Sequence, residues 1–490
     1  MPTEPMIADD IVEESDAAVT EPRAAEMMTE GDDSDEGPLD LPTSAFTPVN
    51  FQQASRRVID LYRSYSADKE LDPRPSFQRG YVWDRNRATK LIESILLHVP
   101  IPLIYTSEED NGLEVVIDGQ QRLTTCFAFI DGFFPMSKSE DERASRGESV
   151  RRRPFRLGKL KILSHLKGKS YSDLPRDLKD IFNRYNLTII KISKDSHPDV
   201  KFEIFERLNT GSVSLSDQEI RNCIYRGPYN NLLVSLASED KFRKLLGIAG
   251  EAIRMQDVEL VLRFMAFNEA THLNYNQKMR AFLNNHMRDR KNISEEMALK
   301  YRSAFLHSID LAYTVFGEKA FRRFSEGNVR NPSGNWERAV NKAVYDVLMF
   351  WFARYEKRQI VEKKDAIREK FIQMCVEDKE FTDAITLGTA DAGRVRVRFD
   401  RWAAALEEVI TVRANERRAF SFAEKSRLFD ADPSCCLCHQ QISEIDDAEV
   451  DHSIPYSSGG ATDLSNAQLA HRYCNRAKGA SEAGAVSGHS

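Results

Sequence analysis

Two short knuckles near the C-terminus constrain this chain more than any other feature. Cys435 and Cys438 form C-x-x-C, and His471 and Cys474 form H-x-x-C, 33 residues beyond Cys438. Four of the seven cysteines fall within the last 56 residues. Scattered disulfides do not cluster this way, whereas a metal site in a reducing compartment does. Each knuckle offers two soft or borderline donors from one turn, which suits tetrahedral zinc. Cys436 is an alternative donor, but a C-x-C pair is the less usual knuckle. Cys435, Cys438, His471 and Cys474 are therefore the expected zinc ligands.

Between the knuckles lie Asp451-His452 and Asn466, and Asn475 directly follows the last ligand; the gaps from His452 are 14 and then 9 residues. Through C-x-x-C, V-D-H-x-I-P, G-G, S-N-x-Q-L and H-x-x-C-N-x-x-K, residues 420–480 resemble the HNH (ββα-metal) nucleases in their zinc-ribbon form. Phosphodiester hydrolysis needs an activated water, neutralisation of developing charge and help for the leaving oxygen. The resemblance makes His452 the general base, a role that suits a neutral imidazole near pH 7. It makes Asp451 and Asn475 the ligands of a catalytic Mg²⁺ or Mn²⁺, Asp451 supplying a hard oxygen. Asn466 matches the residue that braces the loop carrying the base, and Lys478 the one that contacts phosphate. Many members carry cysteine where His471 stands, and asparagine rather than histidine closes the H-N-N set.

A second group of motifs lies in the N-terminal half. One is Pro75-Ser76-Phe77-Gln78-Arg79-Gly80-Tyr81-Val82-Trp83. Another is Ile117-Asp118-Gly119-Gln120-Gln121-Arg122-Leu123-Thr124-Thr125. The third is Phe205-Glu206-Arg207-Leu208-Asn209-Thr210-Gly211, followed by Leu215 to Asn222. The DGQQR segment follows an apolar strand and opens a helix, where glycine permits a tight turn and free N–H groups favour an anion. Arg79 and Arg122 can clamp phosphate oxygens, and Gln78, Gln120, Gln121 and Asn209 add polar contacts. The other reading is an Arg–Asp and Gln network that braces the fold. These motifs resemble the ParB/sulfiredoxin-like domain of the GmrSD and SspE modification-dependent (type IV) restriction proteins. The resemblance implies a nucleoside triphosphate bound or hydrolysed at Gln78, Arg79, Asp118, Gly119, Gln120, Gln121, Arg122 and Asn209, and gating of an attached nuclease. Two departures stand out. Gly211 comes one residue early, with Ser212 in the glycine position, and the relatives usually end in a differently spaced His–Asn–His nuclease. No Walker A sequence and no G-x-S-x-G elbow is present.

The fold class that follows is α+β and multidomain. An acidic tail over 1–45 precedes a ParB/sulfiredoxin-like α/β sensor domain over 46–225. A mainly helical linker covers 226–418, the zinc-ribbon HNH domain 419–482 and a flexible tail 483–490. Helical spacing is expected in Asn86–His98, Gln120–Gly132, Val200–Leu208, Val258–Phe267, Leu299–Phe316, Ala339–Tyr355 and Val395–Val412, and strands at 103–105, 115–117 and 187–192. Trp351 and Trp402 are expected in the core. The net charge of −7 conceals an uneven distribution. Residues 1–40 hold 14 acidic side chains against Arg23 alone, so the remaining residues carry a net +6. That balance permits a nucleic-acid partner without demanding one. Residues 136–169 collect arginines and lysines that are either a solvated insertion around a β-ribbon or a phosphate-tracking patch. No membrane span and no secretory leader is visible, so the expected compartment is the cytoplasm.

The expected function is a metal-dependent DNA endonuclease in anti-phage defence, its HNH chemistry gated by an N-terminal domain that binds nucleotide and is a candidate sensor of modified DNA. The expected partners are double-stranded phage DNA, modified or not, and a nucleoside triphosphate. A homo-oligomer is permitted, because double-strand cutting from one HNH site favours a dimer or sequential nicks. The alternative is a nucleotide-controlled DNA-binding regulator whose HNH domain does not cut. An RNA-directed nuclease ranks last, for want of an RNA-binding signature.

Overall fold

The computed structural model describes residues 28–29, 50–73, 81–109, 111–136, 140, 143–144, 147–196, 201–205, 216–248, 255–276, 278–411, 420–454 and 460–478. Gln78, Arg79 and Asn209 lie outside the described residues.

The N-terminal half is built on strands β1 (Phe51–Arg57), β2 (Leu71–Asp72), β3 (Ile104–Glu108), β4 (Glu114–Asp118) and β5 (Asn186–Ile192), in the spatial order β1-β5-β3-β4-β2. β1 pairs antiparallel with β5 and β3 antiparallel with β4, while β5 and β3, and β4 and β2, run parallel. The sheet is therefore mixed. Because strand side chains alternate, β4 sends Val116 to one face and Ile117 to the other. Val116 joins a core with helices α1 (Val58–Ser66), α2 (Arg85–Leu96), α3 (Gln120–Asp131) and α4 (Arg176–Arg184). Ile117 packs with Ile192, Phe202, Phe205 and Ile220 on the other side. Helix α2 begins where Asp84 accepts the Arg87 N–H at 2.6 Å, the cap expected from sequence.

The basic stretch around 151–169 holds a short 3₁₀ turn, Ser164–Leu166, and an isolated Phe133–Pro154 bridge, with no β-ribbon among the described residues. Lys161, Ile162 and Leu163 instead donate their backbone N–H groups, at 2.8–3.2 Å, to the buried carboxylate of Glu93 on α2.

The third motif continues as α5 (Asp217–Ile224), opened by a capping box between Ser216 and Glu219. Its polar residues turn inward. Arg221 is 2% exposed and reaches Asn284, Gln218 and Glu259. The helical part beyond includes α6 (Gln256–Ala270), α7 (Glu295–Phe316), α8 (Lys342–Phe352), α9 (Lys364–Glu377), α10 (Lys379–Thr386) and α11 (Ala392–Thr411) around one large apolar core. Trp402 is fully buried there and Trp351 packs at its edge. Helix α8 starts later than the spacing of apolar residues suggests. Asn341 caps it by accepting the Val344 N–H, and Val340–Asn341 pairs in parallel with Met28–Thr29. Among the described residues no helix is long and apolar enough to cross a membrane.

Candidate active site and its supports

The C-terminal segment opens with α12 (Phe422–Ala431), followed by the first knuckle, then the antiparallel pair β6 (Ala448–His452) and β7 (Ala467–His471), and a helical stretch over 472–478. His471 ends β7 and Cys474 lies one turn into the helix, so the second knuckle joins strand to helix. The donor atoms of Cys435, Cys438, His471 and Cys474 all lie within 4.8 Å of one another. His471 Nδ1 is 3.4 Å from Cys438 Sγ and 3.9 Å from Cys474 Sγ. Zinc–sulfur bonds of ~2.3 Å require donor separations of about this size. Burial raises the Cys435 thiol, but the backbone N–H groups of Cys438, His471 and Leu437 outweigh it and bring the thiol down to about 6. Burial and the neighbouring thiols push Cys474 up to about 12. The donor set is soft, crowded and close to tetrahedral spacing, and it fits zinc. Cys436 stands outside it.

β6 and the 472–478 helix carry the chemistry-bearing groups. Asp451 Oδ2 accepts from Lys478 Nζ at 3.0 Å and from Gln468 Nε2 at 3.2 Å. Glu449 shares that strand face two residues earlier and accepts from Asn475 Nδ2 at 2.9 Å and from Arg472 at 3.2 Å. His452 Nε2 lies 3.0 Å from Thr462 Oγ1, and its ring sits 4.6 Å from that of Phe420. Asn466 is 8% exposed and holds the loop after the histidine from both sides. Its Oδ1 accepts the Ile454 N–H at 2.8 Å, its Nδ2 donates to the Ile454 and Ala461 carbonyls, and its own carbonyl accepts from Ser453. Gly460 lies against this clamp, where a Cβ would meet the Ile454 carbonyl oxygen at 1.9 Å.

At the other end, Gly119 joins β4 to α3 with φ +96°, and a Cβ there would fall 2.8 Å from Ile104 Cγ1. Both terms forbid a side chain. Gly119→Ala is expected to cost roughly 1–3 kcal/mol of stability, measurable by chemical denaturation. Asp118 accepts from Arg122 at 2.7 Å. The Gln121 oxygen accepts the N–H groups of Val82 and Trp83, and Tyr81 meets Thr125 Oγ1 at 2.8 Å. The end of the first motif and the start of α3 are thus one unit. Asp118, Gly119, Gln120, Gln121 and Arg122 gather at a single strand–helix junction. Within it, Gln121 braces backbone and Arg122 is ion-paired.

Comparison with known families separates these two regions. Residues 60–226 match the GmrSD restriction endonuclease, N-terminal domain, and residues 434–481 match the HNH endonuclease. The pairing is that of a GmrSD-like fusion. A search of curated proteins returns no match. The two matched domains support a restriction-type nuclease, with DNA as the substrate implied by the HNH domain.

Several supports of this candidate site were not visible in the sequence. Arg472, 2% exposed, donates to the Asp446 carbonyl at 2.6 Å and pairs with Glu369 of α9 at 2.6 Å. Lys425 reaches the same glutamate at 3.3 Å. Asp446 accepts from Trp336 Nε1 at 2.8 Å and from Arg368. Lys319–Glu444 and Arg476–Glu326, each at 3.0 Å, complete a polar dock between the HNH and helical domains. Sequence separations of 56 to 150 residues hide the pairs that join the two domains. Thr462, Phe420, Glu449 and Gln468 were also missed, although Glu449 had one cue: a carboxylate two residues before Asp451 on a strand shares its face.

Asp447 is buried in the dock. Burial raises its carboxyl to about 6, against lowering by the Gly334 backbone and by Arg472 and Lys425. A folded-state value above the ordinary aspartate range favours the fold below that range, and the contribution is lost as pH rises through about 6. Asp447→Asn is therefore expected to melt above wild type at about pH 8 and to lose that advantage near pH 4, a comparison for thermal denaturation.

Proposed function

We propose that the GmrSD-like fusion is a divalent-cation-dependent DNA endonuclease of anti-phage defence, and that its N-terminal domain binds a nucleoside triphosphate and gates cutting. The observation that carries this reading is the clamp around His452. Asn466 fixes the loop, Thr462 holds one ring nitrogen and Phe420 packs the ring, so the imidazole has one orientation. In this reading His452 takes the proton of the attacking water. Asp451 and Asn475 would hold Mg²⁺ or Mn²⁺, which when bound neutralises charge developing on the scissile phosphate. The Lys478 ammonium beside Asp451 supports a site for positive charge there, and it is placed to contact phosphate. Zinc at Cys435, Cys438, His471 and Cys474 is structural. Asp118 to Arg122, with Gln78, Arg79 and Asn209 from outside the described residues, would form the nucleotide site.

One feature favours the second reading, a nucleotide-controlled DNA-binding regulator that does not cut. Asp451 is paired with Lys478, and Asn475 is bonded to Glu449. Both proposed cation ligands are engaged with protein groups.

Plasmid cleavage separates the two readings. Unmodified and phage-modified DNA are incubated with Mg²⁺ or Mn²⁺, with and without nucleoside triphosphates. Cutting of modified DNA that responds to nucleotide supports the gated endonuclease. DNA left intact under every nucleotide, but bound, supports the regulator.

A further inference from the structure

Residues 151–169 carry eight lysines and arginines and no carboxylate. All eight are exposed. Arg153 and Arg156 have acidic partners in Glu140 and Asp173, and Arg152 lies over the Phe133 ring. Among the described residues, Arg151, Lys159, Lys161, Lys167 and Lys169 have no carboxylate within ion-pair distance, although Lys161 feels Glu93 and Lys169 feels Asp173 from farther off. Elsewhere the surface is neutralised differently: Arg290, Arg302, Arg323 and Arg401 each face a glutamate or aspartate.

The backbone under these charges is fixed. Phe155, Leu157, Leu160 and Leu166 are buried beneath the strip. The Thr89 hydroxyl accepts the Gly158 N–H at 2.9 Å, Leu157 and Gly168–Lys169 exchange backbone hydrogen bonds, and Glu93 gathers three consecutive N–H groups. Burial disfavours the Glu93 carboxylate, but those N–H groups keep its pKa below the ordinary value. A merely solvated insertion has no need of a buried carboxylate pinning its crest. Unpaired like charges on a rigid platform repel one another, and that repulsion is relieved when a polyanion arrives. Ordering the backbone beforehand removes much of the entropic cost of binding. Ile162, 68% exposed beside Lys161, adds an apolar contact.

We propose that this strip is a second DNA-binding surface, tracking the phosphate backbone of a duplex while the HNH domain acts on it. The inference rests on the nuclease reading. Phosphate tracking releases counterions, so affinity falls with salt at a slope of about 0.9 per phosphate neutralised.

The test is equilibrium binding of a short labelled unmodified duplex to the full chain carrying His452→Ala, across a range of salt. Lys159→Gln, Lys161→Gln, Lys167→Gln and Lys169→Gln are introduced together. The expected result is a slope shallower by about 3–4 and an affinity at least about tenfold lower. The side chains are exposed, so the melting temperature should not move. Lys300→Gln with Lys379→Gln, exposed lysines of the helical part, should leave slope and affinity unchanged. Equal slopes in the fourfold variant and its parent overturn the proposal and leave the nuclease reading standing. So does an equal loss from the two control lysines. A parent chain that binds no duplex at any salt overturns both.

Discussion

Replacing His452 by alanine is expected to lower DNA cleavage by about 10³-fold, with DNA affinity and zinc content unchanged. The separation follows from where the histidine sits. It ends β6 and is half-buried, with contacts to Thr462 and Phe420. It is not one of the four zinc donors, and the Asn466 clamp works through backbone groups that alanine retains. Truncation therefore removes the proposed base without loosening the strand pair that carries it. Cleavage rate and duplex affinity are measured on the same preparation. Undiminished cutting by the variant would remove His452 from the reaction. Equal loss of cutting and binding would make it a DNA-contact residue instead.

The second large effect is loss of zinc. Purified protein is expected to hold about one zinc per chain, and Cys438→Ser to lose it along with the fold of residues 434–478. The reason is size. The segment's own apolar core consists of Cys435, Ile442, Ala448, Leu469 and Ala470, with a few partly buried neighbours. A core this small does not hold a domain without a staple. Structural zinc sites in small peptides supply on the order of 10–16 kcal/mol. Unfolding would also break the dock, freeing the Trp336 indole from Asp446. Metal analysis, limited proteolysis and tryptophan emission report the three consequences separately. A zinc-free preparation that resists protease and keeps its emission would rule out the zinc site as a structural staple.

Sequence legibility followed the range of the interactions. The zinc donors were legible because each knuckle is local and the chemistry of cysteine and histidine is narrow. The cap at Asp84 and the turn at Gly119 were legible for the same reason: one or two residues decide each. Arg472 was not, since nothing near it in sequence announces Glu369, and an arginine in a short helix is ordinarily exposed. The inward turn of the residues that follow the third N-terminal motif was hidden for a related reason. Gln218, Glu219, Arg221 and Asn222 are the residue types of a ligand site, yet they are buried against α6 and its neighbours. Polar residues that close a domain boundary and polar residues that bind a ligand have the same composition, and only burial separates them. The start of α8 was misplaced because its apolar period runs on through Val340, where Asn341 ends the extended chain by capping.

The dock at Asp446, Arg472 and Lys425 fixes the reach of the cutter. A nuclease module on a slack tether samples many positions along DNA and leaves a broad scatter of ends. Here the cutting module is held to α9 through buried charges. If the N-terminal half is the DNA sensor of the proposed function, the distance between what it grips and the bond that breaks is then a length built into the protein. Sequencing the ends left on DNA with a single recognised mark is expected to show breaks at one preferred offset from that mark. Loosening the dock with Arg472→Ala should smear that offset.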